Sequence, residues 1–285
     1  ITLTGSGGVG KTRLAIQVVT DVLEFFPDGV WFLDLAPLSD PSLVPNAFAT
    51  LLGLRESRDN KLSITDQLIH YFHSRTTLVI FDNCEHLIES SAQLVNSLLT
   101  SCEKLSILAT SREVLRVSGE VPYRVPSLEI PKLDIESAID VLAKIESVQL
   151  FAERAAVTSP GFAISPQNAF AIAQICQHLD GIPLAIELAA ARVEMLSVGQ
   201  IAQHLDDRFR LLTRGKRAAL PRHQTLRATI DWSYDLLSEA EKILLRRLAV
   251  FVGGWTLEAA ESVCSEERRD FDILDLLSHL VDKSL

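Results

Sequence analysis

The chain has 285 residues, of which 47% are hydrophobic and 22% charged, so it can bury a core and is not a disordered tail. A formal net charge of −10 works against nucleic acid and anionic membrane as partners unless a basic patch is local. Cys84, Cys102, Cys176 and Cys264 are far apart with no CxxC pair, which reads as free thiols in a reducing, cytoplasmic setting.

Length alone predicts two domains or three small ones. No apolar run reaches the roughly 18 residues of a membrane span, and no secretory signal is expected. The first residue falls inside a strand pattern and "LVDKSL" opens another. We therefore expect a piece of a longer protein.

The opening "ITLTGSGGVGKTRLAIQVV" is a strand, a glycine loop and an amphipathic helix in which Leu14, Val18 and Val22 form one stripe. Its loop fits two fingerprints. Gly5, Gly7 and Gly10 match the dinucleotide G-x-G-x-x-G, for which Asp34 in "WFLDL" would be the ribose acid. Gly5, Gly10, Lys11 and Thr12 match G-x-x-x-x-G-K-[ST]. The Lys-Thr pair decides between them, because only a triphosphate uses it. The amides of Gly8 to Arg13 would wrap the phosphates, Lys11 would reach the β- and γ-phosphates, and the Thr12 hydroxyl would bind Mg²⁺.

Farther along, "VWFLDL", "TLVIFDN" and "LSILATSR" read as buried parallel strands, with "EVPYRV" as a last one. Alternation with helices predicts an α/β parallel sheet. Asp82 ends its strand after four apolar residues and is the expected Mg²⁺ acid. Asn83 follows where many P-loop ATPases place a second acid. It can orient water but accepts no proton at neutral pH, so hydrolysis should be slow. Glu85 is the candidate general base if the turn returns it to the site; the plainer reading is a solvated loop residue. Arg112, just past "LSILAT", would meet a γ-phosphate if its strand lies between those of the glycine loop and Asp82.

After about Pro131 the strand signals stop and helices follow. Gly181 ends "AIAQICQHLD" and Pro183 opens "PLAIELAAARVEML". From about Pro221, "RATIDWSYDLL" is one helix, Ser238 and Glu241 form a capping box for the next, and Thr256 caps another. "DFDILDLLSHLV" is the last. A winged helix would fit. Arg208, Arg210, Arg214, Lys216, Arg217, Arg222 and Arg227 form a basic run. The would-be recognition helix instead carries Asp270, Asp272 and Asp275 and no Lys or Arg, which argues against direct DNA binding by this fragment.

Taken together, "TLTGSGGVGKTRLA", "VWFLDLAPLSDPSLVP", "LVIFDNCEHL", "ILATSRE", "GEVPYRVPSL" and "GIPLAIELAAAR" resemble, in order, the STAND class of signal-transduction ATPases. Within that class the likeness is to the NB-ARC-like modules of bacterial transcriptional and signalling regulators. "LPRHQTLRATIDWSYDLLSEAEKILLRRLAVFVGGWTLEAAESVC" and "LVDKSL" extend it over nearly the whole chain. The resemblance implies a P-loop nucleotide-binding domain over 1–131, a helical domain over 132–215 and a C-terminally truncated winged helix over 216–285.

It also implies ATP/ADP and Mg²⁺ as cofactors, held by Gly7, Gly8, Val9, Gly10, Lys11, Thr12 and Arg13, with Thr12 and Asp82 at the metal. Lys11, Asp82, Arg112 and Glu85 are the implied catalytic set, Arg112 acting as γ-phosphate sensor. Pro183 of "GIPLA" would pack on the adenine. The implied activity is an ATP/ADP switch with slow hydrolysis, partnered by effector and sensor domains and a nucleotide-dependent homo-oligomer, without a membrane. The alternatives are a scaffold with negligible hydrolysis, a DNA-binding regulator and a nicotinamide-dependent oxidoreductase.

Overall fold

The computed structural model describes all residues except 55–61, 132–138, 204, 206–233, 235–236, 252–253, 265–272 and 283–285. The basic run over 208–227, Asp270, Asp272, nearly all of "RATIDWSYDLL" and the expected domain boundaries at 131/132 and 215/216 involve positions outside the described residues. The chain divides into two compact units. The first is Ile1–Ser6, Lys11–Val125 and Ile243–Leu285; the second is Gly7–Gly10 and Pro126–Lys242.

The first unit is built on a parallel sheet. Its strands are β1 (Thr2–Thr4), β2 (Val30–Asp34), β3 (Thr77–Asp82), β4 (Leu105–Thr110) and β5 (Pro122–Arg124), in spatial order β2-β3-β4-β1-β5. All pairings are parallel. Parallel neighbours need crossovers, and these are carried by α1 (Lys11–Val22), α2 (Val44–Leu51), α3 (Ile64–Phe72) and α4 (Ile88–Ser101).

All six residues of β3 are buried, which requires cover on both faces. Leu78 and Ile80 join Leu3, Leu108 and Ala15 of α1 in one cluster. Val79 and Phe81 point the other way and join Phe48, Leu68, Phe72, Leu94 and Leu98 from α2, α3 and α4. There Phe48 stacks on Phe72 at 5.4 Å and meets Phe81 edge-on at 5.6 Å. The period of two along the strand thus separates two cores.

One sequence expectation shifts here. In α1 the face against the sheet centres on Ala15, with Leu14, Val19 and Val22 packed beside it. Val18 is 37% exposed, so the stripe includes Val19 in its place. Asp34 ends β2 in a local turn, its Oδ1 accepting from the Ala36 N–H at 2.9 Å.

In the second unit, α6 (Glu146–Thr158), α7 (Ala169–His178), α8 (Pro183–Ala190) and α9 (Val198–Gln203) surround fully buried Phe151, Ile172, Ile175, Ile186 and Ile201, while α5 (Ile139–Leu142) places Leu142 against Ala169 and Ala173 of α7. Asp180 and Gly181, at φ +52° and +66°, end α7, and Pro183 starts α8. A side chain at Gly181 would collide with the Leu128 carbonyl oxygen. The helix predicted over "PLAIELAAARVEML" stops at Ala190, where Arg192 and Val193 donate to the carbonyls of Ala189 and Ala190 in tight i→i−3 turns.

The remaining described helices are α10 (Glu239–Leu248), α11 (Leu257–Cys264) and α12 (Ile273–Asp282). The Ser238–Glu241 capping box opens α10, with Ser238 N–H donating to Glu241 at 2.7 Å and Glu241 N–H to Ser238 Oγ at 3.3 Å. Thr256 Oγ1 accepts from Ala259 N–H at 3.3 Å. Among the described residues no helix is long and apolar enough to cross a membrane.

Candidate functional site

The site forms at the C-terminal ends of β1, β3 and β4, where ligands collect in open parallel sheets. β1 runs into a loop whose glycines hold left-handed backbone, Gly8 at φ +84° and Gly10 at φ +100°. α1 then begins at Lys11. Its first turn contributes no acidic residue of its own. Val9 is buried and Arg13 lies exposed in that first turn.

Within the first unit, three elements converge on one carboxylate oxygen. Thr12 Oγ1 donates to Asp82 Oδ1 at 2.7 Å, and Thr110 Oγ1 donates to the same oxygen at 2.6 Å. Thr110 also accepts from the Asn83 N–H at 2.9 Å. The sheet register explains the meeting: β4 lies between β1 and β3, pairing Leu3 with Thr110 and Phe81 with Ala109. The sequence placed Thr110 at a strand end but assigned it no role, because only the strand order reveals its partner.

Lys11 Nζ donates back to the loop carbonyls, to Gly5 at 2.7 Å and Ser6 at 3.2 Å. Burial, above all, pushes its ammonium down to about 8; Arg112 adds to the fall, and Glu85 and Asp82 oppose it. These four charges therefore share one neighbourhood. Arg112 Nε and Glu85 Oε1 lie 3.4 Å apart, with both side chains almost wholly buried. Glu85 is therefore not the solvated loop residue that composition alone allows. Its Oε2 is buried and without a hydrogen-bond partner among the described residues.

Asn83 is held in left-handed backbone at φ +67°, a conformation Asn tolerates. Its Nδ2 lies 3.2 Å from His86 Nδ1, and His86 Nε2 lies 2.8 Å from the Leu38 carbonyl oxygen. In the second unit, Pro183 is the first residue of α8, and the next residue, Leu184, donates its N–H to the Gly8 carbonyl at 3.2 Å. A Cβ at Gly8 would press on the Leu184 side chain at 2.8 Å.

Can this donor set hold Mg²⁺? Two oxygen groups at hydrogen-bond distance, Thr12 and Asp82, suit a hard cation that keeps most of its ligands as water and phosphate oxygen. No cluster of three His, Cys, Asp or Glu occurs among the described residues.

A glycine loop, a Lys-Thr pair at a helix start and a strand-end Asp two strands away are the features of a P-loop nucleotide-binding fold. Residues 1–116 match the family described as an AAA domain. A Mycobacterium tuberculosis H37Rv protein named "Putative HTH-type transcriptional regulator" is 48% identical over 286 residues, covering all of this chain and 30% of that protein. The chain thus spans about a third of that relative. A second H37Rv protein, described as uncharacterized, is 39% identical over 286 residues, covering all of this chain and 69% of its own length. The chain belongs to the family of that protein, with an AAA-type P-loop domain in its first 116 residues. The structure of the Aeropyrum pernix ORC2 protein in ADPNP and ADP complexes shares the fold, with TM-score 0.53 and 15% identity over 100% of this chain and 79% of that one.

Proposed function

We propose that the chain is an ATP/ADP-binding switch with slow Mg²⁺-dependent hydrolysis, the regulatory core of a larger transcriptional or signalling regulator. The observation that carries this reading is the convergence of the Thr12 and Thr110 hydroxyls on Asp82 Oδ1 beside Lys11. Thr12 and Asp82 would hold Mg²⁺, which when bound offsets phosphate charge. The amides of Gly7 to Arg13 would cradle the phosphates. Lys11, now bound to its own loop carbonyls, would exchange them for phosphate oxygens, where a cation interacts more strongly.

Arg112 is the proposed γ-phosphate sensor, and Glu85 is its counter-ion. Glu85 is engaged with Arg112, and Asn83 accepts no proton, which supports slow turnover. The same pairing supports a second reading, a nucleotide-gated scaffold with negligible hydrolysis.

The finer assignment follows the resemblance to NB-ARC-like STAND modules. Under it the three domains span 1–131, 132–215 and 216–285, the last a winged helix. Pro183 packs on adenine, and the switch is cytoplasmic and oligomerises with nucleotide. The relative named as an HTH-type regulator, three times longer than this chain, supports partners in additional domains. Direct DNA binding is not assigned to this fragment; α12 carries no Lys or Arg among its residues. Titration calorimetry with ATP and ADP, with and without Mg²⁺, tests the switch, and phosphate release from Mg-ATP tests turnover.

A further inference from the structure

With His86 neutral, the Asn83–His86–Leu38 chain has a single set of hydrogen-bond directions. The Leu38 carbonyl can only accept, so His86 Nε2, 2.8 Å away, carries a proton. In the neutral imidazole Nδ1 is then a bare acceptor. The group 3.2 Å from it must donate, and this is Asn83 Nδ2. The amide orientation of Asn83 is thereby set by a backbone carbonyl in the segment after β2. Asn83 Oδ1 is left as an acceptor, with no partner among the described residues, next to the strand-end Asp82.

We propose that His86 is a positioning residue: it holds the Asn83 amide so that Oδ1 accepts a hydrogen bond from the water that attacks the terminal phosphate. This rests on the hydrolytic reading above. Asn83 takes no proton. The water oxygen bonds to the terminal phosphorus, the bond from that phosphorus to the bridging oxygen breaks, and the water proton passes to a terminal phosphate oxygen and leaves with inorganic phosphate. The backbone of Asn83 is independently tied to Thr110, so the side chain is the part that His86 governs.

Two measurements on the intact chain test this. Nitrogen-15 NMR of the histidines without nucleotide should show neutral His86 protonated at Nε2, with an Nδ1 resonance that moves on Asn83→Ala. A proton on Nδ1, or no movement, overturns the assignment. In Mg-ATP turnover, His86→Gln retains a donor toward Leu38 but loses the acceptor for Asn83. It should lower kcat about tenfold, the worth of one hydrogen bond, without changing nucleotide affinity. His86→Asn, with an oxygen near the Nδ1 position, should recover most of the rate. In an Asn83→Ala background His86→Gln should add nothing; an undiminished effect there overturns the proposal. A wild-type chain that never turns over ATP defeats the hydrolytic reading, while the NMR result still decides whether His86 orients Asn83.

Discussion

Arg112 and Glu85 form an ion pair 3.4 Å apart in which the two side chains are only 4% and 5% exposed. Neither charge is well solvated, so each depends on the other and on its remaining neighbours. Removing one partner leaves an uncompensated buried charge. Glu85→Ala should therefore destabilise the chain by about 3 kcal/mol in chemical denaturation, and Glu85→Leu with Arg112→Leu should restore much of it. Additive losses in the double variant would show that the two do not act as a pair.

The same guanidinium should distinguish the nucleotides. Arg112→Ala is expected to leave ADP affinity within twofold and to weaken ATP roughly 10- to 100-fold, the range of one charge-assisted hydrogen bond. Calorimetry with both ligands reads this directly. Equal loss for ADP and ATP would remove the sensor role.

Lys11 predicts a pH dependence. Its ammonium is held down near 8 by burial in the free chain, and a polyphosphate would favour its charged form. Binding above pH 8 then takes up a proton, so ATP affinity should fall as pH rises, by up to tenfold per unit. Below about pH 7 the effect should vanish. For the unliganded fold the sign is opposite: the unfolded chain holds this proton up to about 10.5, so folding stability from this group rises between pH 8 and 10.5. Lys11→Arg should flatten the binding profile. A profile equally steep in that variant would trace the effect to another group.

Thr110→Val deletes a hydroxyl without changing shape. It removes one donor to Asp82 and strands the Asn83 N–H, a loss of about 1–3 kcal/mol in stability. It should also raise the Mg²⁺ concentration needed for ATP binding, and Thr110→Ser should reverse both effects. Unchanged Mg²⁺ dependence would confine Thr110 to a packing role.

What the sequence revealed and what it hid divide by the range of the interactions. The glycine loop, the Ser238–Glu241 capping box and the Gly181–Pro183 punctuation are set by residues within seven positions of each other, and they are legible as spelled. Gly181 is the sharpest case: its φ of +66° and the Leu128 carbonyl leave no room for a side chain, so Gly181→Ala should destabilise by more than about 1 kcal/mol.

The pairing of Glu85 with Arg112, the meeting of Thr110 with Asp82 and the reach of His86 to Leu38 join residues 27, 28 and 48 positions apart. Those contacts depend on strand order and register. The sequence predicted that order only conditionally, through the position of the "LSILAT" strand, and so could name Glu85 and Arg112 without seeing that they neutralise each other.

In the proposed switch, Lys11, Thr12 and Asp82 together bind a magnesium-complexed polyphosphate. Titration calorimetry of Mg-ATP into the wild-type chain and the Lys11→Ala variant addresses it most directly. The wild-type chain should show saturable one-site binding that requires Mg²⁺ for full strength and weakens about 100-fold or more in the variant. Equal affinity in both proteins, or no binding to the wild type, would contradict it.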